Sequence, residues 1–190
     1  MSASDYKRWH KPNISESSKT RQGYYKITNP DKYIGDPSLI IYRSSWEMAL
    51  CRWCDYSPSV IRWSAEPLSV PYYDRVSNLN EIVKLGLDPN NPVNWKRRNY
   101  HVDFYMEIMQ GDNMEKWFVE VKPAYKLKKP EPVPNNAPRK QQKAFNEAAK
   151  EYLINEAKFE ACKAYAKAHN GEFYVFTENV LKSLGIIGNF

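Results

Sequence analysis

Two acidic residues and a lysine around one predicted β-hairpin constrain this chain more than any other feature. Asp103 lies near the start of one strand-like run, and Glu120 and Lys122 end a second run at 117–122. The turn-forming residues 110–113 lie between the two runs, which predicts an antiparallel hairpin. Residues two apart in a strand point to the same face, so the side chains of Glu120 and Lys122 lie on one face of the strand. The sequence therefore predicts that two carboxylates and an ammonium group converge.

This convergence indicates a particular chemistry. Two carboxylates can bind a hard divalent cation, and a lysine beside that cation can orient or activate a water molecule. A metal-dependent phosphodiesterase uses such a set. The plainer alternative is a cross-strand ion pair between Asp103 and Lys122, with Glu120 as a solvated strand residue.

Size and composition indicate a single folded domain. The chain has 190 residues, of which 42% are hydrophobic and 14% aromatic, enough for a substantial core. No apolar run approaches the length of a membrane span, and the first 21 residues are polar and charged. We therefore expect a protein of the host cytoplasm with no membrane partner.

The three cysteines are expected to be core residues. Cys51 and Cys54 form a C-x-x-C pair, but they fall within a helical pattern, and Cys162 is the third and last cysteine of the chain. A structural zinc site needs four ligands at loop-like spacing. Small apolar residues on a buried helix face explain the pair better.

A net charge of +6 and a pI near 9.1 favour an anionic partner, and double-stranded DNA suits the predicted chemistry. Basic residues flank the hairpin on both sides and are candidate phosphate contacts. They are Arg97 and Arg98 upstream, and Lys126, Lys128, Lys129, Arg139, Lys140 and Lys143 downstream. Solubilising surface charge explains any one of them equally well. Arg43 either contacts DNA or pairs with Glu47.

The order of predicted elements indicates an α/β fold with a mixed central sheet flanked by helices. We expect an N-terminal arm at 1–35 and one domain at 36–190, with an insertion at 74–100 and a Pro/Lys-rich loop at 123–138. Predicted helices cover 42–56, 139–169 and 178–184, with a short one near 81–85. Predicted strands cover 60–63, 68–73, 102–108, 117–122 and 173–176.

The combination resembles the PD-(D/E)xK, or restriction-endonuclease-like, superfamily, and more narrowly the TnsA-like head-completion nucleases of tailed phages. The phrases that carry this resemblance are YIGDP at 33–37, YRSSWE at 42–47, VIRWSAE at 60–66, VPY at 70–72, VDF at 102–104, VEVKP at 119–123 and NEAK at 155–158. It spans roughly residues 24–184. Val102 stands where the family usually has a proline before the first acid.

The resemblance implies a role for each residue of the site. Asp103 and Glu120 would bind Mg²⁺ or Mn²⁺, with the backbone carbonyl of Val121 as a further ligand. Glu47 would hold a second metal or a metal-bound water, although its place three residues after Ser44 also suits a capping box. Lys122 would position the attacking water.

The sequence leaves the roles of three further residues open. Glu66 is either a spare acid near the site or simply a polar residue at a strand end. Asn155 and Lys158 lie within one helical turn of each other and are more simply explained as helix-surface residues than as part of the site.

The resemblance also implies a function. We expect an Mg²⁺-dependent DNA endonuclease that acts in phage head completion after DNA packaging, in association with the head–neck region of the virion. One alternative is a non-catalytic structural protein that docks to portal or neck proteins. Another is a transposon-end or restriction-type nuclease.

Overall fold

The computed structural model describes residues 22–188. In chain order the elements are β1 (Gly23–Tyr24), β2 (Ile41–Tyr42), α1 (Ser45–Tyr56), β3 (Val60–Ala65), β4 (Ser69–Asp74), α2 (Leu79–Lys84), β5 (Lys96–His101), β6 (Phe104–Gln110), β7 (Asn113–Val121), α3 (Arg139–Ala168), β8 (Glu172–Phe176) and α4 (Glu178–Ser183). Short 3-10 turns lie at Pro30–Lys32, Pro92–Asn94 and Ala124–Leu127.

Four strands form the central sheet in the order β3-β6-β7-β8. β6 is antiparallel to both β3 and β7, whereas β8 runs parallel to β7. The parallel pair follows from the connection, because α3 carries the chain back between β7 and β8. The predicted α/β class with a mixed sheet flanked by helices is therefore confirmed.

The predicted hairpin forms at β6 and β7. Gln110 pairs with Asn113, so the turn consists of Gly111 and Asp112. Gly111 has a φ of 60°, a conformation that glycine adopts without strain. This tight turn fixes the register that brings the two ends of the hairpin together.

Alternating side chains of the sheet enter two separate cores. Phe104, Met106 and Val119 pack on the side of α1 and α4, with Leu50, Cys51, Cys54 and Leu181 among their neighbours. Tyr105 and Phe118 point to the opposite side, where they pack with Cys162, Ala166 and Phe173. Glu120 and Lys122 have the same strand parity as Phe118, and so they face α3.

The two principal helices have clear ends. The Ser44 hydroxyl oxygen accepts a hydrogen bond from the Glu47 amide and so caps α1. After α3, Asn170 adopts a φ of 55° and Gly171 follows. A Cβ at Gly171 would lie 2.7 Å from the Lys116 carbonyl oxygen, so only glycine fits there.

The predicted boundary of the N-terminal arm is wrong for the part of it that the structure describes. Residues 22–35 belong to the domain: β1 pairs with β2, and Tyr25, Ile27 and Tyr33 pack against the core on the α1 side. Residues 1–21 of the arm lie outside the described chain.

The predicted insertion at 74–100 contains a regular strand that the sequence did not reveal. Its last part, β5, pairs along the full length of β4, and α2 lies in the connection between them. Residues 123–138 contain one 3-10 turn and otherwise no regular structure.

All three cysteines are buried free thiols, as predicted. Within 22–188 no helix is both long and apolar enough to cross a bilayer.

Candidate active site

Asp103 lies at the bend between β5 and β6, immediately before the hairpin. Its Oδ2 accepts a 2.8 Å hydrogen bond from the Val121 amide, and its carbonyl accepts one of 2.8 Å from the Glu66 amide. The first of these bonds joins the start of β6 to the end of β7. The hairpin therefore holds Asp103 beside the Glu120–Lys122 segment, as the sequence predicts.

Glu120 is only 5% exposed and is held by two side chains. Lys122 Nζ lies 2.8 Å from Glu120 Oε1, and the Tyr100 hydroxyl donates to Glu120 Oε2. The lysine therefore pairs with Glu120, and the cross-strand pair of Lys122 with Asp103 that we considered from the sequence is not formed. The carboxylates and the ammonium group meet on one face of the sheet.

The electrostatics of Asp103 show that negative charge is crowded at this site. Part of the residue is accessible, but its carboxyl group is packed within protein. Burial raises the pKa of Asp103 well above the ordinary value, and the charges of Glu120 and Glu47 raise it further. The hydrogen bond from the Val121 amide opposes this shift without overcoming it. A cation at this point would relieve the repulsion.

Glu47 reaches the site from the first turn of α1. Its Oε1 accepts a 2.9 Å hydrogen bond from the Ser44 hydroxyl, and its Oε2 accepts one of 2.7 Å from the Arg43 amide. Glu47 therefore does have the capping role that its sequence position suggests. Burial raises the pKa of Glu47, and its charge acts on both Asp103 and Glu120. The two interpretations of this residue are compatible.

Arg43 and Glu66 form an ion pair at the edge of the site. The guanidinium donates to both carboxylate oxygens, through Nε to Oε1 and through Nη2 to Oε2. Glu66 has a φ of 45°, which is unusual for a residue with a side chain, and its amide binds the Asp103 carbonyl. Arg43 thus pairs with Glu66 through its side chain and with Glu47 only through its backbone.

The far side of the site is closed by α3. Lys122 Nζ donates a 3.3 Å hydrogen bond to Asn155 Oδ1 and lies 5.4 Å from the centroid of the Phe159 ring. Asn155 is only 5% exposed. The interpretation of Asn155 as a helix-surface residue is wrong, because α3 crosses the sheet with this side chain inward. Asn155 is a positioning residue for the lysine.

Val102, directly before Asp103, is fixed by both its side chain and its backbone amide. Its side chain is buried in the core on the α3 side, and its amide donates a 3.3 Å hydrogen bond to the Leu68 carbonyl. Proline has no amide hydrogen and could not make this bond. The valine therefore ties the segment before Asp103 to the start of β4.

The donor set suits a hard cation. The described residues contain no group of three or more His, Cys, Asp or Glu side chains already close enough to chelate an ion. The oxygens of Asp103 and Glu120, with Glu47 nearby, fit an ion that keeps several water ligands, as Mg²⁺ does. Thiol and imidazole ligands, which zinc prefers, take no part in this set.

The predicted DNA-binding residues fall into two groups. The first group is engaged in ion pairs within the protein: Arg43 with Glu66, Arg98 with Asp74, and Lys126 with Glu151. The second group is exposed and consists of Arg97, Lys128, Lys129, Arg139, Lys140 and Lys143, the last of which lies 3.9 Å from Glu147. Their DNA contacts stay predictions.

Comparisons with known proteins show the family of the chain. The model of the family described as TnsA-like endonuclease N terminal matches residues 57–178. The chain therefore belongs to the family of TnsA-like N-terminal endonuclease domains. The match includes Asp103, Glu120 and Lys122, whereas Glu47 lies before it.

A curated relative extends the similarity to most of the chain. It is the head completion nuclease of Enterobacteria phage T4, which is 29% identical over 166 residues. The similar region covers 87% of this chain and 97% of that protein.

Proposed function

We propose that this protein is an Mg²⁺-dependent DNA endonuclease that hydrolyses phosphodiester bonds. The observation that carries the proposal is the meeting of Asp103, Glu120 and Lys122. Lys122 Nζ lies 2.8 Å from Glu120, and the Asp103 carboxylate is bound to the amide of the residue between them. Family membership supports the same reaction.

The protein residues have distinct roles in this proposal. Asp103 and Glu120 hold the cation, together with the Val121 carbonyl, and Glu47 adds negative charge from α1. Mn²⁺ would serve in place of Mg²⁺. A bound divalent ion would supply Lewis-acid polarisation of the phosphate and lower the pKa of water. Lys122, held by Asn155, orients the attacking water and places a fixed positive charge where negative charge develops on the phosphate.

The biological setting that we propose is phage head completion. The name of the T4 relative states this process, and that relative is similar over nearly its whole length. The protein would then cut double-stranded DNA after packaging, in the host cytoplasm and in association with the head–neck region. Portal or neck proteins would be its partners.

The decisive experiment compares isosteric variants on plasmid DNA. With Mg²⁺, wild type is expected to nick or linearise the plasmid, whereas Asp103→Asn and Lys122→Met are expected to be at least about 100-fold slower. Asp103→Asn keeps an oxygen that can accept from the Val121 amide but removes the charge. Glu131→Gln, an exposed carboxylate of the 123–138 loop, is the matched control and should cleave like wild type.

The outcomes separate enzyme from scaffold. Cleavage that needs a divalent ion and is lost in both site variants supports the proposal. Equal cleavage by wild type and Lys122→Met would mean a contaminating nuclease, and no cleavage under any condition would leave only an assembly role.

One observation favours that assembly role as a second candidate. The segment that contains α2 exposes several large apolar side chains: Leu79, Val83, Leu85, Leu87 and Val93. Val93 is 87% exposed. Several large exposed apolar residues within one segment suit a protein contact, which fits docking to a portal or neck protein. Asp103→Asn distinguishes the two roles in a phage, because only the enzyme requires the carboxylate for infectious particles.

A further inference from the structure

Lys158 lies on α3 one helical turn after Asn155, and its side chain is half-buried beside the site. Its Nζ lies 5.0 Å from the centroid of the Tyr100 ring and 5.9 Å from that of Tyr72. The Tyr100 hydroxyl in turn donates to Glu120. The Tyr100 side chain therefore separates the Lys158 ammonium group from the candidate catalytic carboxylate of Glu120. The interpretation of Lys158 as a helix-surface residue is wrong.

The ammonium group of Lys158 has no anion in direct contact. With the residues at 22–188 it makes ring contacts but neither a hydrogen bond nor an ion pair. Burial is the main cause that lowers the pKa of Lys158, and the positive charge of Lys122 lowers it further. Glu120, Asp103 and Asp74 act in the opposite direction. Two ammonium groups thus face the same site, and only one is paired.

A half-buried cation without a counter-ion costs free energy, and a second cation beside it increases that cost. Ring faces compensate in part, because an ammonium over a Tyr ring is attracted to it. A bound anion would remove the remaining cost. The anion that a nuclease site receives is the phosphodiester of its substrate.

We propose that Lys158 binds a non-bridging oxygen of the DNA phosphate that occupies the site, beside Lys122. This inference rests on the proposed function, since it names a contact within the same substrate complex. The two lysines reach the phosphate from different elements, Lys122 from the end of β7 and Lys158 from α3. The competing explanation is structural: the aliphatic stem of Lys158 packs on Tyr100 and Tyr72, and its charge does not contact DNA.

The test uses Lys158→Met, which keeps a stem over the two rings while it removes the charge. Lys158→Arg restores the charge, and Lys167→Met removes an exposed charge from the same helix. Binding of a labelled DNA duplex of about 20 base pairs is measured by fluorescence anisotropy over a series of salt concentrations, with EDTA present. Thermal unfolding confirms that each variant is folded.

The salt dependence of binding is the readout that a structural role would not change. Loss of one phosphate contact should reduce the slope of log K against log salt by about 0.9. We expect this reduction in Lys158→Met, its reversal in Lys158→Arg and no change in Lys167→Met. With Mg²⁺, Lys158→Met should cleave at least about 10-fold more slowly.

A folded Lys158→Met with the wild-type slope overturns the inference, whether or not its cleavage changes. If the wild-type protein cleaves DNA in that case, the proposed function is unaffected. A reduced slope in a protein that never cleaves DNA supports Lys158 as a phosphate contact and refutes the enzyme. Absence of DNA binding by wild type overturns both.

Discussion

Asp55 and Asp103 are both enclosed by protein, and their surroundings are opposite. Asp55 lies near the end of α1 with no exposed surface. Its carboxylate accepts hydrogen bonds from the amides of Thr28 and Asn29, from the Tyr25 hydroxyl and from the Asn29 side chain. Asp103 has one amide donor and two carboxylates as neighbours.

The pKa values of the two aspartates therefore move in opposite directions. Burial would raise the pKa of Asp55, but its hydrogen bonds outweigh burial and lower it. For Asp103, burial and its two acidic neighbours together raise the pKa. The protein itself stabilises one carboxylate as an anion and leaves the other with uncompensated charge. The first attaches the N-terminal segment to the domain, and the second has the excess negative charge that the proposed metal-dependent function would use.

The largest effect on stability is expected at Asp55. Asp55→Ala would leave the amides of Thr28 and Asn29 without their acceptor and should lower the free energy of unfolding by about 3 kcal/mol. Urea unfolding at pH 7 measures this change. Asp31→Ala, an exposed acid of the same segment, is the control and should change it by less than about 0.5 kcal/mol. Similar losses in both variants would mean that Asp55 does not hold the segment.

The contrast between the two aspartates also shows which features the sequence could reveal. The site of Asp103 was predictable because it is local. A two-residue turn and strand alternation bring Asp103, Glu120 and Lys122 together without knowledge of the rest of the fold. Glu47 comes from a distant helix, and only the resemblance to a family pointed to it.

The features that were missed depend on long-range packing. Residues 22–35, which include three Tyr and two Lys, look like an arm, because nothing local shows that Asp55 satisfies their polar groups. The strand β5 is rich in Lys and Arg and lacks an apolar alternation. Tyr100 lies in that strand, so its contact with Glu120 was missed as well. Asn155 and Lys158 reach the site only because of the angle at which α3 crosses the sheet.

Stability measured over a pH series should show that the pKa shifts of the two aspartates contribute to stability with opposite signs. Both ionise near 3.8 in the unfolded chain. The lowered pKa of Asp55 contributes stability above that pH, and this contribution is lost as the pH falls towards the folded value. The raised pKa of Asp103 costs stability as the pH rises above 3.8. Asp103→Asn removes this cost, so without divalent ions its free energy of unfolding at pH 7 should be higher than that of wild type.

The difference in stability between Asp103→Asn and wild type should shrink as the pH falls towards 4, because the raised pKa of Asp103 leaves its carboxyl group protonated in the folded protein. Added Mg²⁺ should stabilise wild type more than the variant, because Asp103→Asn removes one of the two carboxylates proposed to hold the ion. If Asp103→Asn proves less stable than wild type at pH 7 without metal, then Asp103 is held as Asp55 is, and the contrast fails.

Glu47 combines features of both aspartates, and its variants should show the smallest change in stability. Like Asp55 it accepts hydrogen bonds from its surroundings, and like Asp103 it has a raised pKa, chiefly through burial. Glu47→Ala removes the capping contacts and should cost about 1 kcal/mol, whereas Glu47→Gln keeps one acceptor and should cost less.

Cleavage assays then decide which feature of Glu47 matters. If its charge serves the site, Glu47→Gln should cleave DNA about 10-fold or more slowly while it unfolds at nearly the wild-type urea concentration. If Glu47 only caps α1, Glu47→Gln should cleave normally and only Glu47→Ala should be impaired, in step with its lower stability. Because Glu47 lies outside the segment that the family model matches, the first result would extend the active site beyond that segment to the start of α1.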